Sequence, residues 1–299
     1  MRSDPVILCA GSLHHDVIVS APGLPRVDQT LAGTGVVYAF GGKGGNQAAA
    51  AVRAGAEVHM AGAVGSDDLA ITLRNALDEA GVRRAMVQTH PGPSGMSVAI
   101  TLPCGGYGAV IVSGANLLFR PEVVSFPKGC TLLMLQSEIV ETANLSLARR
   151  ARGEGLRVVL NAAPARAVLP ELLRLLDLLV VNRGEAADLL GRSEAALDAP
   201  RAAADLLGLG PRAVIVTLGG DGLVLAEAGK VSHHPAQRVT VVSSHGAGDA
   251  FIGALSAEWA RGAGLGDAAS FGQAAAALHV SAPLPQRARV AEAAIRALV

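Results

Sequence analysis

The chain has 299 residues, 51% of them hydrophobic, and 25 basic side chains balance 25 acidic ones. That length and apolar content suit one large domain with a substantial core. Zero net charge gives no footing for nucleic acid or an anionic membrane, and 3% aromatic content leaves little for base stacking.

Along the chain, short apolar runs recur at residues 6–9, 58–61, 131–135, 158–160, 178–181 and 214–216. Runs that are apolar on both faces suit strands buried in a parallel sheet. Alanine-rich amphipathic segments lie between them, at 47–54, 70–80, 141–152, 171–176 and 202–207. The alternation predicts an α/β fold, a mainly parallel central sheet sandwiched by helices. Segments 249–260 and 267–280 read as helices throughout. Two regions break the rhythm: 16–40 holds strand-like pieces without a helix between them, and 96–113 reads as a hairpin. Together they predict a small β-sheet inserted into a single domain spanning 1–299, placed over a ligand cleft or a second subunit.

The three cysteines, Cys9, Cys104 and Cys130, are odd in number, lack metal-ligand spacing and read as reduced thiols. The first residues do not form a signal peptide, and no apolar run nears membrane-spanning length, so a cytoplasmic location is expected.

Two glycine-rich stretches carry the chemistry. Gly41-Gly-Lys-Gly-Gly-Asn46 lacks the Ser or Thr that a phosphate-binding P-loop needs after its Lys, because Gly44 follows Lys43. It reads either as a tight turn or as a loop admitting a ligand close to the backbone. In Gly246-Ala-Gly-Asp249, backbone amides at a helix start favour an anion. Asp249 then reads as a helix cap or as a general base beside that anion hole.

Taken together, these stretches resemble the two signatures of the ribokinase-like (phosphofructokinase B type) carbohydrate kinase family. Further pieces follow in the family's order: Gly11-Ser-Leu-His-His-Asp16, Ser113-Gly-Ala-Asn116, Leu135-Gln-Ser-Glu138, Leu160-Asn-Ala-Ala-Pro-Ala165, Asn182-Arg-Gly-Glu185 and Thr217-Leu-Gly-Gly. The resemblance implies a helix-flanked sheet with a β lid, and transfer of the ATP γ-phosphoryl group to a primary hydroxyl of a sugar, ribose first. It implies Asp249 as base and Gly246, Ala247 and Gly248 as the anion hole. Sugar contacts would come from His14, Asp16, Gly42, Lys43, Asn46 and Glu138. The nucleotide would meet Asn182, Glu185, Thr217, Gly219 and Gln273, with Glu185 reaching Mg²⁺ through water. A homodimer through the lid is implied as well.

Two departures qualify the resemblance. Where family members carry Asp-Thr before the late signature, this chain has Ser243-Ser244-His245, and 280–285 lack the Gly-Ala-rich turn of the same monovalent-cation site. Weak or absent potassium activation is therefore expected. His14 stands where the family usually has Asn, which keeps another pentose, a ketose or a nucleoside open as acceptor. The remaining alternative is a sugar- or nucleotide-binding protein without turnover.

Overall fold

The computed structural model describes residues 4–104 and 107–299. Its first third runs β1 (Val6–Ala10), β2 (His14–Ser20), β3 (Gly35–Gly41), α1 (Lys43–Arg53), β4 (Glu57–Val64), α2 (Asp68–Glu79), β5 (Arg83–Thr89), β6 (Gly95–Thr101) and β7 (Tyr107–Val112). The middle runs β8 (Cys130–Gln136), α3 (Glu141–Gly153), β9 (Arg157–Asn161), α4 (Pro170–Leu175), β10 (Leu178–Asn182), α5 (Arg183–Leu190) and α6 (Ala199–Leu207). The last part runs β11 (Ala213–Thr217), β12 (Leu223–Glu227), β13 (Lys230–His234), α7 (Ala247–Ala260), α8 (Leu265–Ser281), α9 (Leu284–Arg287) and α10 (Glu292–Arg296).

Nine strands form the large sheet, in the order β13-β12-β11-β10-β9-β8-β1-β4-β5. Seven are mutually parallel, and β12 and β13 close one edge antiparallel. Period-two alternation sorts the apolar runs onto two faces. Ile7 and Cys9 face a core shared with α1, α2, α7 and α8; Leu8 and Ala10 face one shared with α3 to α6. This explains why the runs read as continuously apolar. Cys9 is wholly buried, and burial pushes its thiol up to about 12, so it acts as core packing.

The expected lid is a four-stranded sheet, β3-β2-β6-β7, and its β2–β6 pair is parallel. Three strands of the large sheet, β5, β12 and β13, were not foreseen; β12 is itself a short apolar run, paired antiparallel with β11. β5 begins with two arginines at an exposed edge, and β13 ends in His233-His234, so neither shows a clean apolar run. Such strands are set by pairing with a neighbour, not by their own pattern.

Gly42, the N-cap of α1, has φ of +84°, and a Cβ there would lie 2.7 Å from the His14 amide. The chain therefore needs glycine to seat the head of α1 on the turn between β1 and β2. At Gly253 a Cβ would lie 2.6 Å from the Gln47 carbonyl, so its absence lets α7 press directly on α1. That close approach brings the two glycine-rich stretches together.

Candidate active site

Residues distant in sequence converge where α1, α7 and the inner face of the lid meet. A cavity of about 120 Å³ is lined there by Asp16, Ile18, Ala39, Phe40, Asn46, Arg53, His245, Gly246, Asp249, Ala250, His279 and Arg287. Asp16, Asn46 and Asp249 thus share one space.

Asp249 sits in the first turn of α7, whose N-cap is Gly246 in the left-handed region, and its carboxylate does not cap the helix. It is held from α1 instead. Gln47 Nε2 donates to Oδ1 at 3.0 Å, and Asn46 Nδ2 lies 3.4 Å from Oδ2. The same Gln47 nitrogen donates to Asn161 Oδ1 at 3.0 Å, at the end of β9. Burial raises the Asp249 pKa; Lys43 and the Gln47 bond oppose the rise, and Glu138 adds to it. A carboxylate that is desolvated yet oriented by two amide donors has the makings of a general base.

Above the loop joining β13 to α7, the amide of Ala247 closes a turn onto the Ser244 carbonyl at 3.2 Å. Ala247 therefore spends its amide on the turn, while the amides of Gly246, Gly248 and Asp249 keep no acceptor among the described residues. A Cβ at Gly248 would meet nothing within 4 Å, which leaves open approach for an anion.

Asp16, on β2, is only 8% exposed; its Oδ1 accepts from the Ser97 hydroxyl of the paired strand β6 at 2.6 Å. Burial again raises its pKa. Strand alternation put His14 and Asp16 on one face, and both are buried, while His15 stacks on Tyr38 on the other face. His14, however, lies beneath the cavity rather than in its wall. Its Nδ1 is 3.9 Å from Glu138 Oε2, and its buried Nε2 has no partner among the described residues.

Glu138 and Lys43 also stand behind the wall. Glu138 accepts from the Ser12 hydroxyl and, at 2.8 Å, from the Lys43 amide in the first turn of α1. A carboxylate at a helix N-terminus satisfies orphan amides and gains from the dipole. Glu138 thus fixes α1 against the β1–β2 turn, and Gly42 serves the same seat. The Lys43 charge acts on both Asp249 and Glu185.

The expected nucleotide residues gather at the carboxyl ends of the neighbouring strands β10 and β11, where Asn182 pairs with Thr217. Their polar groups are largely engaged with backbone. Asn182 and Glu185 form a reciprocal capping box on α5, each side chain bonded at 2.8 Å to the other's amide. Burial raises the Glu185 pKa, and the charge of Asp249 adds to the rise. Thr217 Oγ1 donates to the Val181 carbonyl at 3.3 Å, while Gly219 is exposed with φ of +59°. Gln273 spends its amide nitrogen on the carbonyls of His234 and Pro235, each at 3.2 Å, and ties α8 to the end of β13.

Sequence reading overlooked several wall and support residues. Gln47 lies inside the early signature, and its place one position after Asn46 was the available signal. Asn116 exchanges bonds with both backbone groups of Leu13, at 3.0 Å each, and locks the β1–β2 turn. Arg53, His245, His279 and Arg287 bear no local pattern and reach the cavity only through packing. Burial lowers the His279 pKa to about 4, so the ring is neutral at pH 7.

Comparison with known proteins agrees with this geometry. Residues 5–291 match the family described as pfkB family carbohydrate kinase. The chain is 32% identical over 291 residues to the ribokinase of Haemophilus influenzae, covering 94% of this chain and 93% of that one. It is 33% identical over 255 residues to the deoxyribokinase of Salmonella typhimurium, covering 83% of each. The structure of Arabidopsis thaliana ribokinase complexed with ribose and ATP superposes with a TM-score of 0.89 at 27% identity, covering 99% of this chain and 98% of that one.

Proposed function

The chain belongs to the pfkB family of carbohydrate kinases and is an ATP-dependent carbohydrate kinase, and we propose that its acceptor is a free pentose, ribose first, phosphorylated on a primary hydroxyl. The observation that carries this reading is Asp249, oriented by Gln47 and Asn46 in the same cavity as the buried carboxylate of Asp16. Asp16 accepts from sugar hydroxyls and Asn46 supplies an adjacent amide, so a polyol finds partners on both sides of the cavity. Among the described residues, Phe40 is the only Phe, Tyr or Trp side chain lining it.

In the reaction, Asp249 takes the proton from the primary hydroxyl as its oxygen attacks the γ-phosphorus. The new O–P bond forms as the bond to the β-phosphate oxygen breaks, and ADP leaves. Charge on the transferring group is met by the amides of Gly246 and Gly248 at the positive end of α7. For the nucleotide, the fit lies in the exposed glycines after β11, where a Cβ at Gly219 or Gly220 meets nothing within 4 Å, beside Asn182 and Thr217. Among the described residues no cluster of three or more ligating side chains could hold a metal. This suits Mg²⁺, which keeps its waters and rides on phosphates, with Glu185 reached through water. Bound there, Mg²⁺ would neutralise phosphate charge.

We also read the outer face of the lid as a dimer interface. Tyr38, Val17, Val98 and Val110 lie in one register row across all four strands, and Tyr38 and Val110 are about two-thirds exposed. Light scattering that gives a monomer mass would exclude this. No helix among the described residues is long and apolar enough to cross a membrane.

The testing experiment is ADP release measured with ribose, deoxyribose, fructose, other pentoses and nucleosides. The highest kcat/KM is expected with ribose. A nucleoside as best acceptor, or ADP release that ignores every sugar, overturns the reading.

A further inference from the structure

Arg287 is only 7% exposed, yet among the described residues no carboxylate lies within 4 Å of it. Its three donor nitrogens go instead to peptide carbonyls. Nη2 donates to Ser243 at 3.1 Å, Nη1 to His245 at 3.0 Å and Nε to Ala282 at 3.1 Å. A buried charge without a counter-ion is costly, and three carbonyl dipoles are what make it tolerable. Two of these carbonyls belong to the segment leading into Gly246, and the third to the turn after α8. The same two segments are joined by the Val242 and Ser243 amides, which both donate to the Val280 carbonyl.

The neighbourhood holds further charge. Arg53 lines the same cavity, as do Asp16 and Asp249, and His279 Nε2 lies 3.4 Å from Arg287 Nη1. His279 Nε2 lies 3.0 Å from the His245 carbonyl, and its ring is neutral at pH 7. A ring of carbonyl oxygens is also how proteins replace the hydration shell of a monovalent cation. Here that ring is already filled by a side chain, and Ser243 supplies no carboxylate. The residues therefore do not fit a bound potassium ion.

We propose that Arg287 is a tethered cation that fixes the anion-hole segment 243–246 onto the C-terminal turn, so that turnover needs no monovalent ion. Arg287 is a positioning residue: it lines the cavity but spends its donors on backbone carbonyls, and it acts through the Gly246 and Gly248 amides. The proposal rests on the kinase reading above for its catalytic consequence, and on geometry alone for the clamp.

The first test uses the unaltered protein. Ribose-dependent ADP release is compared in potassium, sodium and tetramethylammonium chloride at equal ionic strength. Rates within about twofold are expected; several-fold stimulation by potassium overturns the proposal. The second test uses Arg287→Ala, with Arg287→Lys beside it. Loss of placement in the anion hole should lower kcat roughly 10- to 100-fold, the scale of a misplacement of about 1 Å, while the sugar KM barely moves. Guanidinium or potassium at tens of millimolar should restore part of the loss, where urea does not. A loss that neither cation restores marks Arg287 as ordinary packing and overturns the proposal. Amide hydrogen exchange over 243–249 gives a readout free of turnover. Faster exchange confined to this segment in Arg287→Ala supports the clamp, and unchanged exchange overturns it. If the unaltered protein releases no ADP with any sugar, the kinase reading fails, and hydrogen exchange still decides the clamp.

Discussion

The proposed acceptor side and the proposed nucleotide side of this site are built differently. On the acceptor side, Asp249, Gln47, Asn46 and Asn161 form one bonded group across α7, α1 and β9, and Asp16 and Ser97 form a second across β2 and β6. Each side chain is held by an element far away in sequence. On the nucleotide side, Asn182, Glu185, Thr217 and Gln273 bond to backbone, mostly of their own or the adjacent element. One side is preorganised around two desolvated carboxylates; the other is a set of well-capped strand ends that offers open backbone. The difference follows from the chemistry. Proton abstraction and hydroxyl recognition need groups fixed to a fraction of an ångström, whereas a flexible polyphosphate is met by amides and dipoles.

The contrast breaks most sharply at Asp249. Asp249→Asn should lower kcat about 10²-fold or more, the scale of general-base catalysis, with KM for the sugar nearly unchanged. The folded-state pKa of Asp249 is raised, so the fold binds this proton more tightly than the unfolded chain and loses stability as pH rises through that pKa. The neutral side chain removes that cost, so thermal melting at pH 7 should show a Tm no lower than the parent's. Turnover within a fewfold of the parent's would remove the proposed base.

Next in size is Asp16→Ala. A lost charged acceptor is worth about 1.5–3 kcal/mol, so the sugar KM should rise roughly 10- to 100-fold while the KM for ATP stays. Initial rates over a matrix of both substrates separate the two. If both constants move together, the two sides are not independent.

A subtler effect is expected at Lys43, whose charge holds the Asp249 pKa down. The base must be ionised, so kcat/KM falls as pH drops through its pKa. Lys43→Met lets that pKa climb, and the acid limb of the pH profile should move to higher pH. An acid limb that stays in place, or moves lower, argues that another group sets it. His279 does not titrate near neutrality and should leave no step between pH 6 and 8. The smallest effect belongs to the nucleotide side. Asn182→Ala breaks the capping box and should cost about 1 kcal/mol in urea unfolding, with the sugar KM unchanged. A large sugar effect there would erase the distinction between the sides.

Much of this was legible in the chain. Residues 6–9 and 131–135 announced buried parallel strands because apolar side chains fell on both faces, and the helix-free stretches announced the lid. The two glycine-rich signatures marked α1 and α7. Other parts were not legible in this way. β5 and β13 carry arginines and histidines, and their strand state comes from a partner's hydrogen bonds. His14 was expected at the sugar; it is buried beside Glu138 and outside the cavity lining, because period-two alternation gives a face but not a depth. Gln273 was expected at the nucleotide, and its amide nitrogen is bonded to the end of β13.

What the amino-acid order determined by itself is local: which segments are helix or strand, where glycine permits a sharp turn, and where a carboxylate follows free amides. These depend on backbone sterics and on periodicity over a few residues. Which charge meets which partner was decided only by packing. Gln47 reaches Asp249 across 202 positions, and Arg287 reaches Ser243 across 44. Hydrogen bonds of that span exist because the cores on the two faces of the large sheet fix the helices in place, and no stretch of sequence encodes the distance alone.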